Sequence, residues 1–197
     1  MEKQKIIGID LDDVLLDFNG ALCEFHNAIY GTSYSRKDIL SYDLENTWGC
    51  SRDDAIRRIL EFYNSDVHYN AQPVEGATEA VRELSKNYLL VVITSKPSYL
   101  AERTTSWLEK YYSGLFSGVY FTNQFHGDGI KRTKAGVCNE LGVEIFIDDS
   151  VAHALEVADT GRKVWLFNTP WNQDPIPSHI TRVYSWTDVL EHIRNER

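Results

Sequence analysis

Ile6-Ile7-Gly8-Ile9-Asp10-Leu11-Asp12-Asp13-Val14 is the stretch that decides the fold. An apolar run of strand length ends abruptly in acidic residues. Continuous apolar runs mark strands buried on both faces, as in a parallel sheet. Open parallel sheets bind ligands outside the carboxyl ends of their strands, which is where Asp10 and Asp12 stand. Carboxylates clustered there repel one another unless a cation or a proton relieves them. Taken alone, the same residues could form an N-terminal turn in which Asp13 caps a helix.

The pattern recurs along the chain. With the first run at 5–9, apolar runs lie at 89–94, 119–122, 144–147 and 163–167, and a weaker one at 182–184. Between them the periodicity is helical. Residues 76–87 put Ala77, Ala80, Val81 and Leu84 on one stripe, and 99–112 carry Leu100, Trp107, Leu108 and Tyr111. Residues 133–141 end at Gly142, a C-cap, and 187–194 turn Val189, Leu190 and Ile193 inward. This alternation predicts an α/β, Rossmann-like three-layer fold around a parallel sheet. Residues 17–72 depart from it. They carry no strand signal, and 22–30 and 51–63 read as helices, the second with Ser51 as N-cap and Asp54 three residues on. The interval is too long for a simple crossover and too helical for a linker. It is read as a small helical cap, 17–72, inserted after the first strand into a core of 1–16 and 73–197.

A chain of 197 residues holds one sizeable core domain and an insertion of this size. Its hydrophobic and charged fractions, 43% and 25%, exclude a disordered protein. A net charge of -9 repels polyphosphate chains, so a nucleic acid polymer is not an expected partner. A small phosphate ester is compatible, because a bound divalent cation reverses the field locally. Cys23, Cys50 and Cys138 form no metal-binding spacing and read as thiols in a reducing compartment. The first apolar run is too short for a signal peptide or a membrane span. The expectation is a cytoplasmic protein with no membrane partner; a homodimer is left open.

Other chemistry-bearing residues are predicted at the same sheet edge. The second strand ends Val92-Ile93-Thr94-Ser95, and the fourth ends Ile145-Phe146-Ile147-Asp148-Asp149-Ser150. Lys131 and Lys134 lie at or before a helix start between those strands. Lys134 is favoured, since a side chain anchored on a helix is held more firmly than one in a loop. Carboxylate oxygens of this kind suit Mg²⁺.

With these residues in order, the sequence resembles the phosphatase branch of the haloacid-dehalogenase superfamily. Asp10 to Val14 match its DxDx(T/V) motif, Thr94 its hydroxyl motif, Lys134 or Lys131 its lysine, and Asp148 and Asp149 its acidic pair. The resemblance spans nearly the whole chain. It implies that Asp10 attacks phosphorus to form an aspartyl-phosphate, and that Asp12 acts as acid and then base. It further implies that Mg²⁺ binds at Asp10, Asp12 (through its backbone carbonyl) and Asp148, with Asp149 direct or through water. Thr94, Ser95 and Lys134 would hold the phosphate. Many relatives have Gly where this chain has Asp13. A looser resemblance, to the 5'-(deoxy)nucleotidase-like group, rests on length, the short cap, Thr94-Ser95 and Ile147-Asp148-Asp149, and implies a nucleoside monophosphate substrate.

The cap is rich in aromatic residues, most of them read as its own core. Trp48, between Glu45-Asn46-Thr47 and Gly49, is read as a loop residue able to meet substrate. His126, in the loop 124–129, is a weaker candidate of that kind, and 168–172 could form a rim of the site. Two other readings share the fold. One is a phosphatase for a sugar phosphate or other small ester, and the other is a catalytically silent binding or regulatory protein. A dehalogenase is disfavoured by the acidic pair.

Overall fold

The computed structural model describes residues 4–125 and 129–195. Six parallel strands form one sheet in the order β3-β2-β1-β4-β5-β6. They are β1 (Ile6–Ile9), β2 (Leu89–Thr94), β3 (Gly118–Phe121), β4 (Val143–Asp148), β5 (Lys163–Phe167) and β6 (Ile180–Val183). β1 lies at the centre, with Ile9 opposite Val92 on one side and Ile147 on the other. The chain builds outward on one side of β1 through β2 and β3, then crosses to build β4, β5 and β6 on the other. The carboxyl end of β1 therefore sits where the strand order reverses, the place at which such sheets open a crevice.

Alternation along the strands separates two buried faces. Ile7, Ile9, Leu90, Val92, Ile145, Ile147, Trp165 and Phe167 pack with α5 (Ala77–Ser85), α6 (Ala101–Tyr112) and α9 (Trp186–Asn195). Ile6, Val91, Ile93, Phe146, Val164 and Leu166 pack with α7 (Lys134–Leu141) and α8 (Val151–Ala158). Gly8 belongs to the second face. A Cβ there would come within 3.0 Å of Ile93 and 3.1 Å of Phe146, so the missing side chain permits their close packing.

Between β1 and β2 run α1 (Phe18–Tyr30), α2 (Leu44–Trp48), α3 (Arg52–Tyr63) and α4 (Asp66–Tyr69). Asp17 caps α1 by accepting from the Gly20 amide, and Ser51 caps α3 by accepting from the Asp54 amide. The chain enters and leaves this insert at one place. There Asp17 N donates to Gln72 O and Val74 N to Leu15 O, both at 2.9 Å. The apolar interior of the insert, including Phe25, Ile59, Phe62 and Tyr63, is continuous with the first sheet face. Among the described residues no helix is long and apolar enough to cross a membrane.

Trp48 corrects the sequence reading. It is the last residue of α2, buried, and its ring stacks on His26 at 4.4 Å, with Tyr30 on the other side of the imidazole at 4.7 Å. Polar neighbours in sequence suggested a loop, but α2 is a five-residue helix whose buried positions are Leu44 and Trp48. His126 and the rest of 126–128 lie outside the described residues.

His26 is held neutral in this stack. The Thr32 hydroxyl donates to Asn27 Oδ1, so the imidazole Nδ1 donates to Thr32 at 2.8 Å, and Nε2 accepts from Arg58 at 3.0 Å. Burial, followed by the charge of Arg58, pushes its pKa down to about 4 from 6.5. Between these two values the unfolded chain binds a proton that folded His26 refuses, so this residue opposes folding increasingly as pH falls through the window. His26→Gln, which stays neutral, should lose less stability than the wild type on acidification across that window, as read from urea denaturation. Parallel declines would contradict the assignment.

Candidate active site

The site begins with Asp10, the first residue past β1. Its amide donates to Ile147 O at 2.8 Å and extends the sheet by one bond, which fixes the Asp10 side chain at the carboxyl edge. Asp148 ends β4 alongside it. Between the two carboxylates lies the ammonium of Lys134, 2.7 Å from Asp10 Oδ1 and 2.7 Å from Asp148 Oδ2. Lys134 is the first residue of α7, with Thr133 as N-cap accepting from the Gly136 amide at 2.9 Å. Lys131 is exposed. Of the two lysines left open by the sequence, the fold brings Lys134 to the aspartates.

Asp10, Asp148 and Asp149 are all buried, and an oxygen from each lies within 4.8 Å of the others, a donor set that fits a hard divalent cation. The Asp12 carboxylate is not among them. It turns instead to Lys96 Nζ, at 2.6 Å. The members of the acidic pair are held differently. Asp148 has a partner on each oxygen, Lys134 on Oδ2 and the Ser150 amide on Oδ1, both at 2.7 Å. Asp149 Oδ2 accepts from Trp171 Nε1 at 2.6 Å and from the Tyr42 hydroxyl at 3.1 Å.

Electrostatics follow this division of contacts. Burial lifts the Asp10 pKa to about 6, with Lys134 opposing the shift and Asp148 and Asp12 adding to it. Asp149 is pushed well up by burial and then by Asp148. Burial acts upward most strongly on Asp148 too, but Lys134 and His153 together outweigh it and hold that carboxyl below its usual range. Lys134 remains charged, because the two aspartates outweigh its own burial. Four carboxylates (Asp10, Asp12, Asp148 and Asp149) thus face two ammonium groups, those of Lys96 and Lys134. The deficit of positive charge is what protons, or a dication, would fill.

Thr94 ends β2 and is buried, and its Oγ1 accepts from the Lys96 amide at 3.2 Å. The Ser95 hydroxyl faces Gln124 and His153, each at 3.5 Å. Asp13 lies at φ 57°, in the left-handed region that favours glycine. Its carboxylate accepts from the Asn19 amide and side chain, at 3.1 and 2.7 Å, and meets Arg36 at 3.3 Å. It is therefore tied to the insert, while still lining the cavity beside the acidic cluster. Burial lifts its pKa to about 7 against the pull of Arg36.

These groups line a cavity of about 380 Å³. Its floor is Asp10, Asp12, Thr94, Ser95, Lys134 and Asp149; Phe18, Ile39, Leu44, Ile59 and Tyr63 form an apolar wall from the insert. Trp171 lines it as well, so part of the 168–172 stretch reaches the site. Sequence reasoning missed Lys96, Tyr42 and His153. Lys96 left a signal, standing two residues past Thr94 on the same strand end. Tyr42 left none, because its partner Asp149 is 107 residues away.

A family model described as "5' nucleotidase, deoxy (Pyrimidine), cytosolic type C protein" matches residues 4–197. The chain is 25% identical over 189 residues to a nucleotidase of Clostridium acetobutylicum, covering 95% of this chain and 92% of the relative. It is 26% identical over 189 residues to a 5'(3')-deoxyribonucleotidase of Bacillus subtilis, covering 94% and 96%. Among solved structures, a haloacid dehalogenase-like family hydrolase from Streptococcus pneumoniae superposes with a TM-score of 0.71 at 19% identity, over 98% of this chain and 100% of that one. A Bacillus subtilis HAD-hydrolase bound to magnesium superposes with a TM-score of 0.64 at 15% identity, over 98% and 100%.

Lys134→Met should cost about 3–5 kcal/mol in urea denaturation at neutral pH, because it strands buried carboxylates without their counterion. The cost should shrink as pH is lowered and Asp10 and Asp148 take up protons. A variant as stable as the wild type at neutral pH would show that the ammonium is not what holds the pair.

Proposed function

The chain belongs to the 5'-nucleotidase family named by that match, a group of phosphatases on the haloacid-dehalogenase fold, and we propose that it hydrolyses nucleoside or deoxynucleoside monophosphates by way of an aspartyl-phosphate. The observation that carries this reading is Asp10. It is a buried carboxylate at the floor of the cavity, aimed by Lys134 and flanked by Thr94 and by the acidic pair.

In this mechanism the substrate phosphate lies over Asp10, with Lys134, Thr94 and Ser95 as the groups on its oxygens. Asp10 attacks phosphorus as the ester bond breaks, and Asp12 gives the leaving oxygen its proton. Asp12 then takes a proton from the water that hydrolyses the phosphoaspartate. Asp10, the Asp12 backbone carbonyl and the acidic pair are the groups that would hold Mg²⁺. Within the pair, Asp149 is the better direct ligand, because both oxygens of Asp148 are already engaged. Mg²⁺ would offset the repulsion between the carboxylates and an incoming phosphate dianion. The same cation is bound by the structurally similar Bacillus subtilis hydrolase.

Residues 17–72 act as the cap and set the leaving group. The wall they present is mostly apolar, with Phe18, Ile39, Leu44, Ile59 and Tyr63 beside the polar Asn19, Ser41 and Tyr42 and, among the described residues, no charged side chain, which suits a flat uncharged group such as a nucleoside better than a second phosphate. The deoxyribonucleotidase similarity favours the same class.

A panel of nucleoside monophosphates, sugar phosphates and aryl phosphate assayed with Mg²⁺ tests the assignment. The expected result is a preference for nucleotides, loss of turnover on chelation, and no turnover in Asp10→Asn. Equal rates across the panel would remove the nucleotide reading. Turnover surviving in Asp10→Asn would remove the covalent one.

A further inference from the structure

Lys96 carries one of the most deeply buried charges in the molecule, with 2% of its surface exposed. Its backbone is pinned from two sides: its amide donates to Thr94 Oγ1, and its carbonyl accepts from the Asn123 amide. Next to it, Asn123 Oδ1 accepts from the Ser98 amide at 2.7 Å. The side chain reaches Asp12 Oδ1 at 2.6 Å. Three further groups beside the ammonium come from the insert. The Phe18 ring, on α1, is 5.4 Å away, the Tyr63 ring, on α3, is 5.6 Å away, and His68 Nε2, on α4, is 3.4 Å away. Burial, then the charge of Lys96, drives the His68 pKa down to about 2, so its ring is neutral and Nε2 is free to accept. Two aromatic faces and a neutral imidazole stabilise an ammonium without neutralising it.

We infer that Lys96 is the positioning residue for Asp12, and that the helical insert holds Lys96 in place for that task. The inference rests on the proposed role of Asp12 as acid and base. An ammonium on Oδ1 occupies that oxygen as an acceptor, so a proton carried by Asp12 resides on Oδ2. Fixing Oδ1 also fixes the direction of Oδ2. Asp12 then passes the Oδ2 proton to the ester oxygen as the phosphorus–oxygen bond breaks, and regains a proton from the water that attacks the phosphoaspartate. Because Phe18, Tyr63 and His68 all belong to the insert, the acid is aimed only while the insert is seated. Chemistry is thereby tied to enclosure of the substrate.

The test compares two esters under steady-state conditions. One is an alkyl ester, thymidine 5'-monophosphate or, failing turnover, glycerol 2-phosphate, whose leaving group needs a proton. The other is p-nitrophenyl phosphate, whose leaving group departs without one. kcat/KM reports only steps up to formation of the phosphoaspartate, and the ratio of the two values cancels any loss of folded enzyme. Lys96→Met should lower kcat/KM for the alkyl ester by about 100-fold, and for the aryl ester several-fold less. Lys96→Arg should recover part of the ratio, and His68→Leu should move it in the same direction as Lys96→Met. In an Asp12→Asn background, Lys96→Met should change the ratio no further. Equal losses on both esters, or a full further loss on top of Asp12→Asn, would overturn the inference and make Lys96 a phosphate-binding or structural residue. If Asp12→Asn alone spares the alkyl ester, the acid–base reading of Asp12 fails instead.

Discussion

One ammonium shared by two aspartates organises this protein. Lys134 sits between Asp10 and Asp148, which end adjacent strands, and neither carboxylate could be buried as an anion without it. The need for that contact explains why α7 starts where it does, with Thr133 capping the first turn and presenting Lys134 toward the sheet. It also explains the asymmetry of the acidic pair. Asp148 is spent on Lys134 and on the turn into α8, while Asp149 stays under electrostatic pressure and keeps capacity for a cation. A phosphatase needs both conditions at once: an oxygen nucleophile held still, and a local charge deficit that an incoming dianion and its metal can share.

The insert meets this floor through polar contacts as well as apolar ones. Arg36 bridges Asp13 and Asp17, at 3.3 and 2.5 Å, and lies over the Trp171 ring. Tyr42 reaches the backbone and side chain of Asp149. The cavity is therefore bounded on one side by the groups proposed to act on phosphate and on the other by a largely apolar wall, joined by a few directed bonds.

Much of this was legible in the chain itself, for identifiable reasons. Strands buried on both faces show as unbroken apolar runs, so the five main strands are legible almost residue for residue, and the expected β6 starts two residues late and ends one residue late. Asp10, Thr94 and Asp148 could be placed because each directly follows or ends such a run. Trp48 could not, because its burial depends on His26 and Tyr30 in another helix rather than on its polar neighbours. Lys96 was passed over for a related reason. A lysine beside Ser95 and Pro97 reads as solvated until α1, α3 and α4 are folded against it. Asp13 was noticed as a departure, but only the backbone angle and the Asn19 contacts reveal that it serves the insert.

The chain enters and leaves the insert at a single point, where Asp17 bonds Gln72 and Val74 bonds Leu15. The segment between those bonds contributes no strand to the sheet. Selection can therefore act on the leaving-group wall as a separable module, while Asp10, Lys134 and the acidic pair stay fixed in the sheet. On this geometry, Lys96 sets the boundary of that freedom. A replacement insert that failed to rebuild the surroundings of its ammonium would inherit the nucleophile and lose the aim of the acid, and lineages diverging in substrate should have had to preserve or reinvent that one contact.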